Sequence, residues 1–394
     1  MINEAMKELG NKRSIIREIF EYSKQREKIV GKENVFNFSI GNPSVPAPEI
    51  VNKTIADLAL NFSSIELHGY TSAQGDEEVR TAISQYIKTQ YGATISPSHI
   101  YMTTGAAAGL AISFKALCVE EDEMIIFAPY FPEYRVFASV NGIKTVAVKP
   151  LANLQPDLED FKAKINAKTK AIVINSPNNP SGVIYTEETI KEICSILTQK
   201  QEEYGHPIYI ISDEPYRELV YEDIKIPYIL NYYNNALVCY SFSKSLSIPG
   251  ERIGYIAVNP DMKNCADVYA AVCGAGRALG YVCAPSLFQR VAAKCLGKVA
   301  DTSIYKTNRD ILYNALKEYG FDCVYPDGAF YLFVKTPIAD AGEFCEKAKK
   351  YELMLVPADS FGAPGYVRIA YCVTTQQIER SLPSFKKLAQ ECKQ

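Results

Sequence analysis

A chain of 394 residues, 47% hydrophobic and 22% charged, is long enough for two or more domains with sizeable cores. A net charge of -3 argues against a nucleic-acid or anionic-membrane partner, and no apolar run approaches the length of a membrane span. Eleven cysteines without a C-x-x-C pair, beside only three histidines, argue against a disulfide framework or a metal cluster and for reduced thiols in a cytoplasm.

In chain order, "MINEAMKELGNKRS" lacks the apolar centre of a signal peptide. The amphipathic stretch from Ile15 to Val30 follows, and residues 1–45 are read as an N-terminal segment that packs on a later unit or a partner subunit. Residues 46–285 are read as a large α/β domain. Seven β-rich runs fall inside it: 99–104, 123–128, 144–149, 170–176, 207–212, 236–241 and 252–258. Helical patterns at 105–118 and 186–205 separate some of them. Continuous Val/Ile runs alternating with helices predict a mostly parallel seven-stranded sheet between helices. From 286 to 394 the pattern changes to long helices and a few short strands, "FYLFVK" and "YVRIAY", which predicts a smaller α+β domain.

In such a sheet, ligands bind outside the carboxyl ends of the strands. Several polar residues fall there. "TTGAAAGL" places a turn at Gly105 before a helix start, where backbone N–H groups and the helix dipole favour an anion. "NSPNNPSG" and "SDEPYREL" end two further strands, the second setting Asp213 directly after an apolar run. "SFSKSLSIPGERIGY" then puts Lys244 on a loop between two core strands, where an ammonium has no packing reason to be. Each residue alone has a plainer reading: close helix packing, turn chemistry, a helix cap, a solvated lysine. Together they have a chemical logic. A desolvated lysine forms a Schiff base with an aldehyde, an aspartate keeps a pyridine nitrogen protonated, and a helix start with Ser241 and Arg252 neutralises a phosphate. Aldehyde, pyridine and phosphate are the three handles of pyridoxal phosphate.

"SFSKSLSIPGERIG" resembles the lysine signature of the class I and II aminotransferases, of the aspartate aminotransferase type. "SIGNPSVPAPE", "GYTSAQGDEEVR", "APYFPEY", "NSPNNPSG", "SDEPYREL" and "YVRIAY" extend the resemblance over nearly the whole chain, in the family's order. It implies the fold of pyridoxal-phosphate-dependent transferases of fold type I and an exchange of amino groups between an amino acid and a 2-oxo acid. It also implies the site. Lys244 carries the cofactor and moves the proton at the substrate carbon, Asp213 pairs with the pyridine nitrogen, and Tyr216 and Asn179 bond the ring hydroxyl. Gly105, Ala106, Ser241, Ser243 and Arg252 hold the phosphate, and Phe131 stacks on the ring where many relatives have tryptophan. Tyr70 reaches the phosphate from the neighbouring subunit of a homodimer with shared active sites. Arg368 grips the substrate α-carboxylate beside Gly41 and Asn179. Arg277, donated by the other subunit, is the candidate for a second substrate carboxylate, as in aspartate or 2-oxoglutarate. Its Gly-rich segment equally suits an interface loop or a neutral pocket for alanine or aromatic substrates. Tyr134 contacts the substrate or the hydroxyl side of the ring. The same motifs also suit a pyridoxal-phosphate lyase acting on C–S bonds. A transcription regulator with this fold needs a basic DNA-binding module, for which the stretch ahead of Ser39 is too short.

Overall fold

A computed structural model describes residues 2–11 and 14–393. Its strands, in chain order, are β1 (Phe36–Asn37), β2 (Ile100–Thr103), β3 (Glu123–Phe127), β4 (Lys144–Val148), β5 (Thr169–Asn175), β6 (Tyr209–Asp213) and β7 (Ala236–Ser241). They continue with β8 (Gly254–Val258), β9 (Asp322–Cys323), β10 (Tyr331–Lys335), β11 (Leu353–Met354), β12 (Val356–Pro357) and β13 (Tyr366–Ala370). Each of the seven runs expected in the large domain forms a strand, β2 to β8, and together they build one sheet in the order β2-β8-β7-β6-β5-β3-β4.

The apolar runs are continuous because both faces of this sheet are covered. Along β5, Ile172 and Ile174 enter one core while Ala171 and Val173 enter the other. β6 and β7 repeat the split, with Ile210 and Val238 on the first face and Ile211 and Leu237 on the second. The helix Ala106–Leu117 packs on the second face with Cys265–Ala278.

One strand breaks the parallel order. β8 runs antiparallel to both β7 and β2. It is reached from β7 through residues 242–253, which hold only a four-residue helix and a single 3-10 turn and so return the chain alongside β7 in the opposite direction. The register sets Thr103 opposite Gly254 and Ser241 opposite the same Gly254. The exits of β2 and β7 and the entry of β8 therefore share one edge of the sheet. Asn175 at the end of β5 lies opposite Asp213 at the end of β6, on that same edge.

A second, antiparallel sheet has the order β12-β13-β10-β9 and its own core, to which Phe330, Leu332 and Ile369 contribute. β1 pairs with β11 in parallel, so the chain before residue 46 is hydrogen-bonded to this unit. The helix Ile15–Val30 lies along β11 and β12, burying Ile19 beside Met354 and Val356. The expected boundary after residue 285 does not follow the packing. The helix Ser286–Lys294 buries Val291 and Ala292 in the core of the large sheet, against the helices Glu49–Asn61 and Glu77–Tyr91. Helical periodicity at that point reports an apolar face without saying which core receives it. No helix among the described residues is long and apolar enough to cross a membrane.

Candidate active site

Between the carboxyl edge of the large sheet and the smaller unit lies a cavity of about 520 Å³. Lys244, on the short helix Phe242–Ser245 after β7, points across it and donates from Nζ to the Gly41 carbonyl at 2.8 Å. Burial lowers the Lys244 ammonium to about 8, with the charges of Arg252 and Arg368 adding to the effect. This half-buried ammonium gives up its proton more readily than an ordinary lysine.

Asp213 closes β6 and is buried. Its Oδ2 accepts a hydrogen bond of 2.6 Å from the Tyr134 hydroxyl, while Oδ1 has no partner among the described residues. Burial pushes the carboxyl up to about 7, opposed by the Tyr134 bond and assisted by Glu214. A buried carboxylate that lines a cavity and keeps one oxygen bare lacks a donor or a cation. The Tyr134 hydroxyl is thus committed to Asp213, and Tyr134 is not among the residues that line the cavity.

The anion cradle forms where the antiparallel strand brings three segments together. Gly105, at φ +89, caps the helix Ala106–Leu117, and a Cβ there would stand 2.8 Å from Arg252 Nη2. Arg252 Nη1 donates to Ser243 Oγ at 3.3 Å, and Ser241 Oγ donates to Ser243 Oγ at 2.9 Å. Ala106, Ser241, Ser243 and Arg252 all line the cavity.

On the opposite wall, Arg368 of β13 is only 2% exposed, although the alternation of "YVRIAY" alone suits a surface charge. Its Nη1 donates to Asn179 Oδ1 at 3.1 Å and its Nη2 to the Ser39 carbonyl, leaving Nε buried and without a partner. Tyr331 was not singled out in the sequence, and it supports this wall. Its ring lies 4.7 Å from the Arg368 guanidinium, and its hydroxyl bonds that of Tyr216 at 2.9 Å. Burial and Tyr331 push the Tyr216 phenol well above its ordinary range. Gly41 is needed here because a Cβ would fall 2.0 Å from the Tyr331 hydroxyl. The signal for Tyr331 was its place next to Phe330 in a core strand, which reads equally as packing.

Phe131 also lines the cavity, edge-on to Tyr134 at 5.7 Å. Two expected residues lie outside it. Tyr70 is 99% exposed, and Arg277 is exposed in the last turn of the helix Cys265–Ala278. Neither reaches this chain's own cavity.

The bare oxygen of Asp213, the bare Nε of Arg368 and the cradle kept open by Gly105 fit pyridoxal phosphate: a cationic ring nitrogen, a carboxylate of its amino-acid partner and a phosphate are what they lack. Comparison with known proteins agrees. Residues 33–385 match the family model described as aminotransferase class I and II. The chain is 32% identical to an aspartate aminotransferase of Pyrococcus horikoshii, over 95% of this chain and 94% of that one. It is 30% identical to an aspartate aminotransferase of Thermotoga maritima, over 91% and 93%. A crystal structure of an amino transferase from Eubacterium rectale superposes with a TM-score of 0.98 at 54% identity, covering 100% of both chains. This chain belongs to the class I and II aminotransferase family and is a pyridoxal-phosphate-dependent transaminase.

Proposed function

We propose that the enzyme exchanges the amino group between L-aspartate and 2-oxoglutarate, in a cytoplasmic homodimer whose subunits share their active sites. The observation that carries the site assignment is the cavity itself, which Lys244, Asp213 and Arg368 line together, the last two each with a buried polar atom left without a partner. The names of the relatives support aspartate as substrate.

Pyridoxal phosphate, when bound, supplies an electron sink for the carbon that carries the amino group. The chain does the rest. Lys244 would hold the cofactor's aldehyde and carry the proton at the substrate carbon, work suited to an amine lowered to about 8. Asp213 would keep the ring nitrogen protonated, and Tyr134 holds Asp213 in place for it. Ser241, Ser243, Arg252 and the N–H groups at Gly105 and Ala106 would bind the phosphate. Phe131 would cover the ring face, and Tyr216 and Asn179 would bond its hydroxyl oxygen. Arg368, already oriented by Asn179 and the Ser39 carbonyl, would grip the α-carboxylate beside Gly41. Tyr70 would reach the phosphate of the partner subunit, which its near-complete exposure in one chain leaves it free to do.

The test is a titration of the purified holoenzyme with a panel of amino acids, read by the cofactor's absorbance and by detection of the keto acid. Wild type should convert aspartate, whereas Lys244→Ala should bind the cofactor without converting any amino acid. Wild-type turnover by Lys244→Ala would overturn the assignment of the site.

A further inference from the structure

The helix Ile15–Val30 turns Ile16, Arg17 and Phe20 toward the mouth of the same cavity. Arg17 is badly placed for the helix. It occupies the third helical position, where a capping box has Glu or Gln and where the helix dipole disfavours a cation. Ser14 caps the helix by accepting from the Arg17 backbone N–H, which asks nothing of the side chain. Farther along the same helix Arg26 is paired with Glu352. Arg17 has no carboxylate within ion-pair distance among the described residues.

The cavity wall carries four cations, Arg17, Lys244, Arg252 and Arg368, against one carboxylate, Asp213. Under the reading above, three of the cations have work: Arg252 on the phosphate, Arg368 on the α-carboxylate, Lys244 on the aldehyde. Asp213 answers the ring nitrogen. One positive charge remains, and it stands at the rim, flanked by Ile16 and Phe20 four residues apart on one helix face. We propose that Arg17 takes a second carboxylate at the end of the substrate side chain, so that each subunit selects dicarboxylic substrates with a residue of its own N-terminal helix. Ile16 and Phe20, both half-buried, give that contact an apolar border. The proposal rests on the transaminase site described above and replaces Arg277 as the residue that recognises the side chain.

The experiment uses the holoenzyme and two ligands that cannot react, maleate and propionate, followed by calorimetry, together with kcat/KM for aspartate and alanine. Arg17→Ala should weaken maleate by roughly tenfold or more, as for loss of one charge-assisted contact, and propionate far less. Arg17→Lys should recover part of the maleate affinity, and kcat/KM should fall for aspartate much more than for alanine. Equal losses for both ligands, no loss for either, or a selective loss in Arg277→Ala in place of Arg17→Ala would overturn the proposal. A wild type that forms no keto acid from any amino acid overturns the underlying reading instead. The maleate and propionate binding still decides the role of Arg17 in that case.

Discussion

At the scale of single residues, burial holds Lys244, Asp213 and Tyr216 away from their ordinary ionisation. Asp213 shows the consequence for stability. Its folded value of about 7 lies above the ordinary 3.8, so between those values the folded chain keeps a proton that the unfolded chain has lost. Stability of the cofactor-free protein therefore falls as pH rises through that window, and stays low above it. Asp213→Asn removes this dependence. Its melting temperature without cofactor should match wild type near pH 4 and exceed it at pH 8, by the equivalent of a few kcal/mol. Glu218, also raised to about 7 by burial, is common to both proteins and cancels in the difference. A gap that does not change with pH would show that the Asp213 charge is not its source.

At the scale of elements, the decisive piece is the antiparallel strand β8. It brings Arg252 to the edge where β2 and β7 end, and the turn at Gly105 closes the cradle. Gly105→Ala would place a Cβ 2.8 Å from Arg252 Nη2 in a backbone conformation that L residues rarely adopt. It should weaken pyridoxal phosphate binding by roughly tenfold or more, as expected when a charged anion contact is displaced. Titration of the cofactor-free protein measures it. Gly92→Ala is the control, at φ +73 with nothing within 4 Å of its Cβ. It should lower the melting temperature and leave cofactor affinity alone. If both variants lose the same affinity, backbone strain and not the Arg252 contact is responsible.

At the scale of the whole molecule, two segments, residues 60–70 and 279–282, leave large apolar side chains exposed. Leu60 is 83% exposed, Ile65 86% and Tyr70 99%, and Leu279, Tyr281 and Val282 are also exposed. Cys283 Sγ contacts the Thr71 carbonyl at 3.4 Å, which sets the two segments side by side. A patch of this kind is what a stable subunit interface covers. Sedimentation should give a dimer. Mixing Tyr70→Ala with Lys244→Ala, each inactive alone, should restore up to about a quarter of wild-type activity through hybrids with one intact site. A fully active monomer would remove the shared site.

Much of this protein is written locally. The continuous apolar runs specify the seven central strands because residues 171–174 or 236–239 suit only a sheet covered on both faces. Lys244, Asp213, Gly105 and Arg252 were legible because polar or turn residues directly after apolar strands have few packing uses. Other features depend on distance along the chain. Tyr134 meets Asp213 across 79 positions, Lys244 meets Gly41 across 203, and Arg368 meets Asn179 across 189. Periodicity reports that a side chain is buried or faces one way, but not which partner the fold delivers to it. Strand direction is set by the path of the connection, so β8 reads as one more core strand until residues 242–253 are seen to turn the chain back along β7. The same holds for Arg17, an ordinary surface charge in the sequence. Only the packing of its helix on β11 and β12 carries it to the mouth of the cavity.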